Sequence, residues 1–188
     1  MPLLSHHSWM AAVCSVPSGD ACDSFERWHE DIGIARSLNL NAYRFSIEWS
    51  RVEPAERQVS FSALEHYRRM VVACREAGLA PILTLSHFTS PRWFAAKGGW
   101  LHHDAPAAFA RHCERVIRHL GDGVSHVVTF NEPNLQLLGE WGRTPDPATR
   151  KTMADMLVAA ARASGSDRFS LLNAGDAARM VAPVLEAH

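Results

Sequence analysis

Asn41-Ala42-Tyr43-Arg44-Phe45-Ser46-Ile47 is a short run of strand-forming residues, and the same plan returns twice, as Pro81-Ile82-Leu83-Thr84-Leu85-Ser86-His87 and as Ser125-His126-Val127-Val128-Thr129-Phe130-Asn131. Each run has strand length, is rich in β-branched or aromatic residues, and carries a polar group at its end. A fourth run, Phe169 to Asn173, repeats the plan more weakly. Taking Arg44, His87, Asn131 and Asn173 as the polar tips, the intervals are 43, 44 and 42 residues. Such a period holds one strand, one helix and their connections. Its regularity predicts an α/β chain forming a partial (β/α)8 TIM barrel of about four to five βα units, rather than a doubly wound sheet with unequal connections. Chemistry in such barrels sits at the C-terminal strand ends. The polar tips are therefore the first candidates for a site.

The segments between the runs read as helices. Phe25, Trp28, Ile32, Ala35 and Leu38 recur at helical spacing behind the cap candidates Asp23 and Ser24. Ser62 and Glu65 form a capping-box pattern ahead of Leu64, Tyr67, Val71 and Cys74, and Gly78 is a natural stop. Asp104 and Pro106 open a third helix with Phe109, Cys113, Val116 and Leu120 inward and Gly121 at its end. A fourth helix is predicted over 147–164, and the tail from Asp176 reads as weakly helical and interrupted at Pro183. Residues 1–16 stand as an N-terminal segment outside this pattern, and 17–188 as one incomplete barrel domain.

Composition removes several function classes. The chain has 188 residues, 47% hydrophobic and 21% charged, which is ordinary for a globular domain. A formal net charge of -1 gives no electrostatic reason for nucleic acid or an anionic membrane as partner. No apolar run approaches the roughly 18 residues that span a bilayer, and Met1 to Trp9 lack the features of an export signal. Cys14, Cys22, Cys74 and Cys113 are scattered without a paired motif, as expected of reduced thiols in a cytoplasmic protein. Eleven histidines include the neighbours His6-His7 and His102-His103, but no metal-ligand spacing such as HExxH occurs, so neither metal nor cofactor is expected.

The tips themselves carry the chemical signal. Thr129-Phe130-Asn131-Glu132-Pro133 places an amide beside a carboxylate where an apolar run ends. By itself this is equally a strand-to-loop turn with a solvated glutamate. One unit earlier stands Ser86-His87-Phe88-Thr89-Ser90-Pro91-Arg92-Trp93 with Gly98-Gly99-Trp100, and one unit before that Tyr43-Arg44-Phe45-Ser46-Ile47-Glu48-Trp49-Ser50-Arg51. A cation, an imidazole and an amide–carboxylate pair thus meet at one rim among aromatics. Carbohydrate sites use this combination, with rings for the apolar sugar face and planar polar groups for the hydroxyls.

Tyr43-Arg44-Phe45-Ser46, the run from His87 to Trp100 and the pentapeptide Thr129 to Pro133 together resemble family 1 glycoside hydrolases, β-glucosidase-like enzymes, in order and spacing. The stretch Ser18 to Phe25 is similar to the loop before that family's first barrel helix. The resemblance covers the N-terminal half of the family and implies a β-glucoside substrate cleaved with retention. It implies Glu132 as general acid/base, Asn131 as ligand of the sugar 2-hydroxyl, His87 as a sugar hydrogen-bonding residue, and Arg44 as the arginine beside the nucleophile. Trp100 is expected to be a structural aromatic, and Glu48 and Glu53 to form structural ion pairs.

Two family features have no counterpart. Nothing in residues 1–16 matches the Gln-x-Glu-Gly-like end of the first strand, and no Thr-Glu-Asn-Gly-like segment supplies a nucleophile; Glu140 and Glu186 are not at strand ends. Retention needs two carboxyls about 5–5.5 Å apart, so the chain by itself is not expected to turn over substrate. An incomplete barrel leaves open edges, so self-association or a complementing second half of the barrel is expected. The other readings are a non-catalytic carbohydrate-binding remnant and a scaffold protein.

Overall fold

The computed structural model describes residues 21–134 and 177–188, together with positions 147, 148, 151, 155, 158, 159 and 162. In chain order the elements are α1 (Ser24–Ser37), β1 (Ala42–Ser46), α2 (Trp49–Val52), α3 (Phe61–Glu76), β2 (Ala80–Ser86), α4 (Arg92–Ala96), a 3-10 turn (Gly99–Leu101), α5 (Ala105–Leu120) with a short 3-10 continuation (Gly121–Gly123), β3 (His126–Phe130) and α6 (Ala177–Ala187). The three strands run parallel and pair in the order β1-β2-β3, with Arg44 beside Ile82, Ser46 beside Thr84 and Ser86 beside Phe130. Sequential parallel neighbours joined by helical crossovers form an arc of a barrel; a doubly wound sheet reverses direction. The predicted strands 41–47, 81–86 and 125–130 agree with these to within one residue at each end. The predicted strand 169–173 lies outside the described residues. Every described position from 147 to 162 is helical, as the predicted helix 147–164 requires.

Pleating sorts the strand side chains. Tyr43 and Phe45 share one face of β1, their rings 6.0 Å apart, and Phe45 is buried in the core. Arg44 and Ser46 therefore stand on the opposite face, away from the core that covers Phe45. That core is continuous from α1 through α3 and α5 to α6. Its most aromatic part gathers Trp49, Phe94, Trp100, Phe109 and Phe130, with Phe109 and Phe130 stacked at 4.8 Å and Trp100 edge-on to Phe130 at 5.4 Å. Trp100 is thus a core aromatic, as predicted.

Three local expectations are corrected. The cap of α3 is Ser60, whose Oγ accepts Ala63 N–H at 3.2 Å; Glu65 of the predicted capping box pairs with Arg68 instead. Pro183 does not interrupt the tail, because α6 runs through it. A proline inside a helix forfeits one backbone bond, and here burial of Met180 and Val184, one turn apart, holds the helix against α5 and the 3-10 turn. Glu48 forms hydrogen bonds rather than an ion pair, as described below.

Glu53 does form its ion pair, and more. Only 4% exposed, its carboxylate accepts from Arg115 at 3.0 Å, Trp49 Nε1 at 3.1 Å and Arg57 N–H at 2.6 Å. Its backbone carbonyl accepts from Trp93 Nε1 at 2.9 Å. The connection after β1 is thereby tied to α4 and α5. Beside this knot lies His112, fully buried and stacked on Trp49 at 5.1 Å, with neither ring nitrogen hydrogen-bonded among the described residues. Burial, reinforced by the nearby Arg115 charge and opposed by the Leu85 backbone, pushes its pKa down to about 3.

Two outcomes follow from this core. Glu53→Ala leaves Arg115, the Trp49 indole N–H and the Arg57 backbone N–H without their acceptor and should lower unfolding stability by about 3 kcal/mol, read from urea titrations. Because His112 has a folded-state pKa below its ordinary 6.5, the unfolded chain takes up the proton first, and stability falls as the solution is acidified below that value. Wild type should lose about 2 kcal/mol more than His112→Phe between pH 7 and pH 5; equal losses in the two proteins would show that His112 is not the group responsible.

Candidate active site

The three strand tips open on one edge of the sheet because the strands are parallel. β3 extends its ladder by one residue, Asn131 N–H donating to the Ser86 carbonyl at 2.8 Å. That bond fixes where the amide side chain starts. Across the edge, Arg44 Nη2 donates to Asn131 Oδ1 at 3.0 Å. Arg44 belongs to β1 and Asn131 follows β3, so the guanidinium reaches past β2, about 9–10 Å at ordinary strand spacing. Only the face away from the core offers that path. Asn131 is 7% exposed and spends its oxygen on Arg44, which leaves Nδ2 as a pair of donors for the mouth.

His87 is held from β1. Its Nδ1 lies 2.8 Å from Ser46 Oγ, two residues beyond Arg44 on the same strand face. The chain then reverses tightly: Thr89 N–H donates to the His87 carbonyl at 2.9 Å around Phe88, whose φ is 69°. Such a γ-turn with positive φ is strained, costing about 1–3 kcal/mol for a bulky residue. Glu48 braces it. One carboxylate oxygen accepts from Thr89 Oγ1 at 2.6 Å, and the other accepts from Ser50 N–H at 3.1 Å and Ser50 Oγ at 2.7 Å. Glu48 N–H is itself anchored on the hydroxyl of Tyr67 at 3.1 Å.

Glu132 is exposed, has no side-chain partner among the described residues, and sits at φ 47°. A left-handed conformation is unfavourable for a non-glycine residue, and the residue before a proline ordinarily prefers extended backbone; here Pro133 follows. The carboxylate therefore leaves its strand by an abrupt turn beside the Asn131 amide.

The four residues singled out from the sequence thus group as follows. Arg44 and Asn131 are bonded, His87 stands on the intervening strand's tip, and Glu132 adjoins Asn131 in sequence. Ser46, Glu48 and Thr89 were not singled out as site residues. Ser46 was legible in principle, since period two puts it on the face of Arg44; the Glu48–Thr89 brace depends on a turn that no pattern announced. Glu186 lies on α6 and Glu140 outside the described residues. A cavity of about 280 Å³ lies between α6 and residues 100–106, and no mouth residue lines it. His102, His103 and Asp104 place ligand atoms within 4.8 Å of one another on an exposed turn, but His102 Nδ1 already accepts Asp104 N–H at 3.1 Å.

The stretch that carries these residues is similar to known proteins. The sequence model of glycosyl hydrolase family 1 matches residues 11–168. A β-glucosidase of Agrobacterium sp. is 35% identical over 131 residues, covering 65% of this chain and 28% of the relative. A cyanidin 3-O-glucoside 7-O-glucosyltransferase of Delphinium grandiflorum is 36% identical over 134 residues, covering 70% of this chain and 26% of its own length. Among solved structures, apo β-glucosidase 1317 superposes with a TM-score of 0.88 at 44% identity, covering 97% of this chain and 46% of the other. The chain thus spans less than a third of these curated relatives.

The strain at position 132 has a measurable outcome. Glu132→Gly relieves a backbone cost of about 1–2 kcal/mol and gives back part of it as unfolded-chain entropy. The variant should be about 0.5–1 kcal/mol more stable than wild type in urea, whereas Glu132→Gln should leave stability unchanged.

Proposed function

Because the chain belongs to glycosyl hydrolase family 1, we propose that it carries the proton-donating half of a retaining β-glucosidase site. The observation that carries this reading is the 3.0 Å bond from Arg44 across β2 to Asn131, which gathers three strand tips around one mouth with Glu132 beside it. In the proposed reaction Glu132 protonates the leaving glycosidic oxygen and later takes a proton from the incoming water. Asn131 Nδ2 donates to the 2-hydroxyl, a bond that strengthens as charge grows on the sugar ring. His87 binds a further hydroxyl of the same ring. Arg44 orients Asn131 and supplies positive charge where the partner carboxylate must remain ionised.

The nucleophilic carboxylate has no candidate at the mouth among the described residues. We propose that it comes from a second half of the barrel, which packs on the open face of the arc and along its strand edges. β-Glucosides are the proposed substrates and water the acceptor; the glucosyltransferase among the relatives is the reason to name the acceptor as part of the proposal. No helix among the described residues is long and apolar enough to cross a membrane. With Cys22, Cys74 and Cys113 free, a reducing, cytoplasmic setting is part of the same proposal.

A second reading, non-catalytic carbohydrate binding, is favoured by one observation. The bonds that orient Asn131 and His87 are complete within this chain, so sugar contacts do not wait for the missing carboxylate. Self-association through the open edges would serve that reading without restoring chemistry.

The test is reconstitution. The purified chain alone should release no product from an aryl β-glucoside. Mixed with a polypeptide encoding the remaining strands of a family relative, it should give turnover that falls about 100-fold or more with Glu132→Gln. A stable complex that contains the second carboxylate and turns over no glucoside would reject the catalytic proposal; glucose binding by calorimetry in that case selects the second reading.

A further inference from the structure

We infer that Ser46 is a positioning residue that locks the imidazole of His87 in its Nε2–H tautomer, so that the floor of the mouth presents hydrogen-bond donors only. The inference rests on reading the mouth as a hydroxyl-binding site and adds to it a residue and a rule of selection.

The 2.8 Å contact between Ser46 Oγ and His87 Nδ1 admits two arrangements. Either the hydroxyl donates to a bare Nδ1 and the proton sits on Nε2, or Nδ1–H donates to the hydroxyl oxygen and Nε2 is bare. The bonding of Ser46 selects the first. Ser46 has no other side-chain hydrogen bond among the described residues, so donation to Nδ1 satisfies its proton, while accepting would leave that proton without a partner. The hydroxyl hydrogen is therefore directed at the Nδ1 lone pair.

With Nδ1 occupied, Nε2–H is the ring's free edge. It joins Asn131 Nδ2, whose oxygen Arg44 has taken, and the guanidinium of Arg44 itself. Three groups from three strand tips then offer hydrogen and no lone pair. The acceptor at the mouth is Glu132. A ligand fitted to this wall presents adjacent oxygens as acceptors on one side and sends its own hydroxyl protons toward carboxylates, which a polyol ring does and a ligand of clustered ammonium or amide N–H groups does not.

The experiment is long-range 1H–15N NMR on the uniformly 15N-labelled chain at a pH where His87 is neutral, with its signals assigned by their loss in His87→Asn. The expected result is Nε2 at the shift of a protonated ring nitrogen and Nδ1 at that of an acceptor. Ser46→Ala should move Nε2 downfield, toward the exchange average of two tautomers, and Ser46→Thr, which keeps a hydroxyl, should restore the wild-type position. A change in packing alone would not follow the hydroxyl in this way. A protonated Nδ1 in wild type, or an Nε2 shift that ignores the loss of the hydroxyl, overturns the inference. The readout needs no sugar. A locked tautomer in a reconstituted complex that turns over no glucoside keeps the positioning role and removes the substrate.

Discussion

A buried carboxylate holds this half-barrel in the shape its mouth requires. The Glu53 carboxylate gathers the remote Arg115 guanidinium together with the neighbouring Trp49 indole and Arg57 N–H, while its backbone carbonyl takes the indole N–H of Trp93. A desolvated charge is tolerable only when its lone pairs are met, and the same requirement that makes it costly alone makes it selective about what surrounds it. Trp49 is placed by that requirement and Trp93 by the Glu53 backbone carbonyl, and through them the connections leaving β1 and β2. Those connections carry Glu48 and Thr89, which brace the turn beneath His87. The path from interior to rim is therefore short, and it runs through polar bonds with fixed directions rather than through packing volume alone.

Much of this was legible before any coordinates. A repeat of 42 to 44 residues is a spacing constraint, and few architectures satisfy it with polar residues at every strand end. The strands, the helix stops at Gly78 and Gly121, and the candidates Arg44, His87, Asn131 and Glu132 follow from periodicity, end chemistry and family resemblance. The sequence was less informative where two local solutions compete. Ser60 and Ser62 are both good caps, and what decides between them is where the chain from Val52 delivers the first turn: Ser60 N–H bonds the Val52 carbonyl. Pro183 looked like a breaker because propensity is local, while the burial of Met180 and Val184 that overrides it is not. The unusual backbone at Phe88 and Glu132 left no trace in composition, since neither residue favours a left-handed conformation.

The mouth is unequal in its parts. Arg44, Asn131 and His87 are fixed by bonds across strands, while Glu132 projects from a strained turn without a side-chain partner among the described residues. On the proposed roles, the groups that bind are preorganised and the group that moves a proton is the least constrained. This is consistent with a site in which the binding floor and the facing carboxylate arrive from different parts of a barrel: the floor can be finished locally, and the acid takes its final surroundings from whatever closes over it.

The left-handed glutamate also bears on history. In a lineage released from chemistry, random substitution would be drawn toward residues that rest easily in that backbone, glycine and asparagine first. A carboxylate kept there is held against the thermodynamic drift of its own position. If Glu132 is the proposed acid, its presence or erosion in descendants of this gene is a clock for how recently proton transfer was under selection, readable without an assay.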